Sequence, residues 1–259
     1  MRVAPRPLVA VAITVAYAVL ITIYGLAADV DYDTLADSTS NVVIGILIPI
    51  AVLAALLAAT TTRLGWWRPA LFERPSGPRW LLLVPVLMVV SIAVTLATAD
   101  WGGHGAGFLV VLLIGTLLVG FNEELLTRGL GVVAFRGRMG EVGVWFWTSA
   151  LFGLIHGANL FTGQDLGPTL QQIVFAFVFG SVFYVIRRVT GTLVVCMVLH
   201  GLWDFSTFLA TGDDTSGTTS DFSPGVAIAY LPVLMVIIGG WALLRRRPAP
   251  AGDPTPTSA

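Results

Sequence analysis

Lysine is absent from this 259-residue chain, so all 14 basic residues are arginines, and charge of either sign is scarce. Charged residues make up 11% of the sequence, against roughly 25% in ordinary globular proteins. Hydrophobic residues make up 56%, and the mean hydropathy is +0.86. A water-soluble core of this size cannot bury so much apolar surface, so the composition predicts a polytopic membrane protein.

Further absences exclude particular kinds of site. The single cysteine, Cys196, rules out an intrachain disulfide and a cysteine-rich metal site. The arginines form separated clusters rather than one continuous basic face, which excludes a nucleic-acid partner. The sequence also lacks the His-Glu-x-x-His helix of zincin proteases and the Gly-x-Ser-x-Gly elbow of serine hydrolases.

Eight apolar runs approach the roughly 20 residues that a helix needs to cross a bilayer. We therefore predict an all-α, polytopic membrane helix bundle with eight transmembrane helices. The runs are residues 8–28, 42–62, 80–99, 108–135, 142–158, 168–186, 192–210 and 226–244. Residues 1–247 are expected to form a single membrane-embedded domain, followed by a disordered tail at 248–259.

Arginines cluster in alternate connectors between these runs. The clusters are Arg2 and Arg6; Arg63, Arg68, Arg74 and Arg79; Arg136 and Arg138; Arg187 and Arg188; and Arg245, Arg246 and Arg247. The remaining connectors carry aspartates and no arginine. Because basic residues mark the cytoplasmic loops of membrane proteins, this alternation predicts that both termini are cytoplasmic.

Ionisable residues lie inside three of the predicted spans, where each costs at least about 2.5 kcal/mol unless it is paired or hydrated. In the fourth run, Glu124 and Arg128 are four residues apart, share a helix face and are expected to form an ion pair. Glu123 points about 100° away from Glu124 around the helix. We expect one carboxylate to be held by arginine and the other to be available for chemistry.

The fifth and seventh runs each carry a further pair of residues four apart. Phe152 and His156 share one face of the fifth helix, and His200 and Asp204 share one face of the seventh. The other five runs have almost no internal charge. This concentration of polar residues in three spans favours one functional site over a purely structural network.

The three motifs follow one another on separate predicted helices, as Glu-Glu-x-x-x-Arg at 123–128, Phe-x-x-x-His at 152–156 and His-x-x-x-Asp at 200–204. In this arrangement the chain resembles the CPBP family. That family includes the type II CAAX prenyl endopeptidases, bacteriocin-processing and immunity proteins, and proteins like lysostaphin resistance protein A. The resemblance covers roughly residues 108–210, which we take as the catalytic core.

The resemblance implies an intramembrane metalloendopeptidase that hydrolyses a peptide bond of a membrane-associated protein or peptide. By the same resemblance, Glu123 would be the general base that activates water. His156 and His200 match the two family histidines, and Asp204 falls where the family has asparagine or aspartate. An ionised aspartate accepts hydrogen bonds and does not donate them, so the donor to the oxyanion is left open.

Supporting roles also follow from the resemblance, and candidate metal ligands follow from the chemistry of the residues. Glu124 and Arg128 match the remaining polar positions of the first motif, and Phe152 accompanies the first histidine. Glu123, His156 and His200 are donors found in catalytic zinc sites. A glutamate with two histidines can equally catalyse metal-free hydrolysis, so the sequence leaves both versions open.

Two other classes of function remain as alternatives. Buried glutamate, histidine and aspartate also form proton relays in membrane transporters, which would make the chain a proton-coupled carrier. A non-catalytic, immunity-like membrane protein could keep the same residues for folding or partner binding. The use of arginine alone with abundant Ala, Gly and Val indicates a GC-rich bacterial genome, so we predict a bacterial plasma membrane, where prenylated substrates are not expected.

Overall fold

The chain is helical throughout most of the residues that the computed structural model describes, namely 1–99, 101–211 and 224–244. Eight helical segments occupy the eight predicted runs. They are α1 (Pro7–Ala28), α2 (Thr39–Leu64), α3 (Arg79–Thr98), α4 (Ala106–Arg136), α5 (Glu141–Ile155), α6 (Leu166–Thr190), α7 (Leu193–Thr211) and α8 (Pro224–Leu244). The predicted tail at 248–259 and the arginine cluster at 245–247 lie outside the described residues.

Six of these segments, α1 to α4, α6 and α7, are long and apolar enough to cross a membrane. The α-helical part of α5 has 15 residues and continues as a 3-10 helix over His156–Thr162. The apolar part of α8, Pro224–Gly240, is also short against the roughly 20 residues of a full span. The helical membrane architecture is therefore supported, whereas eight crossings and cytoplasmic termini stay predictions.

Large hydrophobic side chains cover the outward faces of several helices. Ile23 on α1, Val174 on α6, and Ile237 and Ile238 on α8 are all more than half exposed. Lipid tails can cover such a surface without the cost that water would impose. The outward faces thus fit the predicted membrane environment.

Acidic and basic side chains from three of the connectors meet at one end of the bundle. Oε2 of Glu73, between α2 and α3, lies 2.5 Å from Arg136 at the end of α4 and 2.8 Å from Arg188 in the last turn of α6. Glu141, at the start of α5, lies 2.9 Å from Nε of Arg188. These connectors share one end, as the predicted charge alternation requires, while the assignment of that end to the cytoplasm stays a prediction.

Glu73 is the centre of this group, and its side chain is only 8% exposed. Burial by itself opposes ionisation of the carboxyl, but Arg187, Arg136 and Arg188 outweigh burial and hold the pKa of Glu73 below its ordinary value. The sequence pattern identifies these arginines only as markers of orientation. In the structure Arg136, Arg187 and Arg188 are also paired with acids and join the connectors to one another.

Two glycines bring α4 and α7 into close contact beside the motif residues. A Cβ atom at Gly120 would lie 2.4 Å from the carbonyl oxygen of Met197, and one at Gly201 would lie 2.7 Å from Cα of Leu117. Neither position can accept a larger residue without moving a backbone. Gly120 comes three residues before Glu123, so this contact sets the distance between the fourth and seventh helices at the site.

Candidate active site

Glu124 and Arg128 form the ion pair that their spacing predicts, and both side chains are fully buried. Nε of Arg128 donates to Oε2 of Glu124 at 2.8 Å, and the second guanidinium nitrogen contacts Oε1. The guanidinium also lies over the Phe152 ring, 3.9 Å from its centroid. A buried charge requires a partner of this kind, so Glu124 is occupied in holding Arg128.

The helix changes its hydrogen-bonding pattern directly after this acid. Residues Leu125–Gly131 form a π-helix, where the sequence predicts one continuous α-helix. Single π-helical turns inside α-helices are frequent at functional sites. Arg128 lies inside the π-helical turn, and its backbone carbonyl accepts a hydrogen bond from the side chain of Arg187.

His200 links the two acids of the first motif. Its Nδ1 lies 3.0 Å from Oε1 of Glu124, so Nδ1 carries the hydrogen and donates it to the carboxylate. Its Nε2 then faces Oε2 of Glu123 at 3.7 Å and Oδ2 of Asp204 at 3.5 Å. Stacking on Phe183, with ring centroids 5.0 Å apart, fixes the plane of the imidazole.

Glu123 differs from its neighbour in both exposure and partners. Its side chain is 14% exposed, and its Oε2 is buried without a hydrogen-bond partner. Thr127 donates to the backbone carbonyl of Glu123 at 2.6 Å, so this hydrogen bond does not occupy the Glu123 carboxylate. The predicted division between a held carboxylate and an available one is therefore seen in the geometry.

His156 lies where α5 ends and the 3-10 helix begins. Its Nδ1 is 2.9 Å from the carbonyl oxygen of Phe152, so Nδ1 donates and the lone pair is on Nε2. The Phe152 ring meets both imidazoles edge-on, with centroids 5.2 Å from His156 and 5.5 Å from His200. Phe152 thus packs between the two histidines while its face covers Arg128.

A cavity of about 500 Å³ joins the predicted site residues, since Glu123, His156, His200 and Asp204 all line it. The structure therefore brings the residues of the three motifs to one space between helices. Most of the remaining wall is apolar, as is usual for a site that holds an apolar segment of a ligand.

Several polar residues of this wall were not predicted from the sequence. They are Tyr17, Tyr24, Tyr32 and Gln172. The three tyrosines come from α1 and the connector that follows it, which lie outside the segment that resembles the CPBP family. A tyrosine within an apolar run was the available signal, but the periodicity of α1 does not say which face meets the other helices.

The predicted zinc ligands have one feature of a metal site and lack another. Both histidines donate through Nδ1 to an oxygen, the outer-shell arrangement that commonly orients metal-binding imidazoles. However, the described residues contain no group of three or more His, Cys, Asp or Glu side chains that could hold a metal ion. Zinc binding by Glu123, His156 and His200 therefore stays a prediction.

The segment that carries all three motifs has a family match. Residues 105–206 match the family of type II CAAX prenyl endopeptidase Rce1-like proteins. The match covers less than half of the chain and is consistent with the CPBP resemblance. A comparison with curated proteins found no match. Together with the six apolar helices, the matched family of proteases supports an integral membrane protease that acts on protein substrates.

Proposed function

We propose that this protein is an intramembrane endopeptidase in which Glu123 activates water for attack on a peptide bond. The observation that carries the proposal is the contrast between two adjacent carboxylates. Glu124 is fully buried and bound to Arg128 and His200. Glu123 faces the cavity beside Nε2 of His200 with one oxygen unpartnered.

The reaction needs a proton acceptor for water and a proton donor for the departing amine. Water held near Glu123 and Nε2 of His200 gives one proton to the Glu123 carboxylate as its oxygen bonds to the carbonyl carbon. The bond between carbon and nitrogen then breaks, and the same proton passes from Glu123 to the amine. The lone pair on Nε2 of His156 accepts a hydrogen bond that orients the water.

Glu124 acts in this proposal as a positioning residue rather than as a base. Its hydrogen bond from Nδ1 of His200 directs Nε2 towards Glu123 and Asp204. Asp204, which faces the same nitrogen, adds a second acceptor beside the water.

Cleavage of defined peptides in proteoliposomes tests this function. The full chain is assayed on a farnesylated peptide ending in a CAAX sequence and on the same peptide without the lipid, with and without a chelator. Glu123→Gln, His156→Ala and His200→Ala are expected to lower cleavage by at least about 100-fold, the lower end of the range for general acid–base catalysis.

His104→Ala is the matched control, because His104 stacks on Phe108 and lies outside the cavity. Unchanged cleavage in all three site variants would overturn the assignment. Loss of cleavage on chelation, restored by zinc, would show that the enzyme is a metalloprotease. Ion or solute flux without peptide cleavage would instead identify a carrier.

A further inference from the structure

Two buried polar atoms that line the central cavity have no hydrogen-bond partner, namely the hydroxyl of Tyr17 and Oε2 of Glu123. Tyr17 is only 6% exposed, and it lines the same cavity as Glu123. Burying a polar group without a partner costs about 1–3 kcal/mol. A buried group of this kind needs an explanation, and a bound molecule that supplies the missing hydrogen bond is one.

The tyrosine lies on α1, which packs against α5, the π-helical turn and the 3-10 segment that begins at His156. These elements carry Arg128, Phe152 and His156, and the π-helical turn directly follows Glu124. The close approach of Gly25 to Thr162, where an added Cβ would meet a methyl carbon at 2.4 Å, fixes α1 against the 3-10 segment. The helix thus holds the Tyr17 ring firmly at the cavity wall.

The Tyr17 hydroxyl has no hydrogen-bond partner, whereas other donors of the cavity wall already donate to one. The Tyr24 hydroxyl already donates to the carbonyl oxygen of Ile44 at 2.9 Å, and the Asn159 amide donates to Gln172 at 2.9 Å. The Asp204 carboxyl, when it is ionised, has no hydrogen to donate. Hydrolysis of a peptide nevertheless requires a donor to the carbonyl oxygen as that oxygen becomes negative.

We propose that Tyr17 is a catalytic residue that donates its hydroxyl hydrogen bond to the oxyanion of the scissile peptide. This inference rests on the proposed peptidase function for its chemistry. The phenolic proton stays on Tyr17 throughout, while the proton of the attacking water passes through Glu123 to the departing amine. The first helix, outside the matched segment, thereby completes the site that the three motifs begin.

Removal of the hydroxyl alone tests this role. Tyr17→Phe keeps the ring and its packing, and its kcat on the peptides described above is expected to fall about 100-fold with KM little changed, as for loss of one oxyanion donor. Thr14→Val is the matched control on the same helix, because the buried Thr14 hydroxyl bonds only to Ala10. That control should keep wild-type kcat, and both variants should keep the wild-type melting temperature.

A binding measurement makes the inference testable even without turnover. The probe is the unlipidated peptide with a phosphinate in place of one peptide bond, compared with the ordinary peptide. Wild type should bind the phosphinate at least tenfold more tightly, and Tyr17→Phe should lose that preference.

The outcomes separate this inference from the proposed function. Cleavage by wild type with an unchanged kcat in Tyr17→Phe overturns the role of Tyr17 alone. The role of Tyr17 is also overturned if Tyr17→Phe still binds the phosphinate peptide more tightly than the ordinary peptide, as wild type does. If wild type cleaves no peptide but prefers the phosphinate peptide, and Tyr17→Phe loses that preference, the peptidase function is overturned and the oxyanion contact is supported. If wild type binds the phosphinate and ordinary peptides equally, the oxyanion contact is overturned.

Discussion

Nδ1 of His200 lies 3.0 Å from Oε1 of Glu124, the same carboxylate that binds Arg128. This contact joins α4 to α7 in the interior of the bundle. It also gives each acid of the Glu-Glu pair a separate task, because His200 donates through one nitrogen to Glu124 and turns the other towards Glu123. The stability of the site and its chemistry therefore depend on different neighbouring residues.

Glu124→Gln should destabilise the protein strongly, whereas Glu123→Gln should not. Loss of the Glu124 charge leaves the fully buried Arg128 without its counter-charge, which costs about 3–5 kcal/mol in buried pairs. The Glu123 carboxylate holds no such partner. Unfolding of both variants in the same detergent measures the difference, and equal loss of stability in the two would contradict the division of roles.

Gly201→Ala should lower both stability and activity. The added Cβ would lie 2.7 Å from Cα of Leu117 and from the carbonyl oxygen of Thr116, so α7 must move away from α4 at a cost of about 1–3 kcal/mol. His200 would move with it. Gly107→Ala is the control on α4, because nothing lies within 4 Å of its added Cβ; similar melting temperatures for the two variants would refute the proposed close contact.

Stability should fall with acidification through Glu73. Its pKa is lowered in the folded protein by Arg187, Arg136 and Arg188, which outweigh the effect of burial. A lowered folded pKa means that the stabilisation is fully present above the unfolded pKa of the carboxyl and is lost as the pH falls through the folded pKa. The difference in melting temperature between wild type and Glu73→Gln should therefore shrink towards acidic pH, and a constant difference would contradict this.

The sequence predicts the membrane class, the helical runs and the grouping of three motifs because each depends on local pattern. The ion pair between Glu124 and Arg128 follows from spacing on one helix, and the structure confirms it. Contacts between helices are different, because lipid-facing and protein-facing sides of an apolar helix have the same composition. That is why the role of α1 at the cavity, with Tyr17 on its wall, was missed.

Local changes of helix type were also not predicted from the sequence. Nothing in the apolar run after Glu124 marks the π-helix at Leu125–Gly131, and the change to a 3-10 helix at His156 shortens α5 below a full span. The contact that orients His200 joins two helices and was not predicted from the sequence. The sequence places Asp204 on the same face, but Nδ1 of His200 donates its hydrogen bond to Glu124 on another helix.

The central claim is that Glu123 activates the water that cleaves the peptide. Mass spectrometry of one peptide incubated with wild type and with Glu123→Gln, reconstituted at equal amounts in the same bilayer, tests it most directly. We predict a single cleaved bond with wild type and at least about a 100-fold slower appearance of the same products with the folded variant. Cleavage of that bond by Glu123→Gln at the wild-type rate would contradict the account.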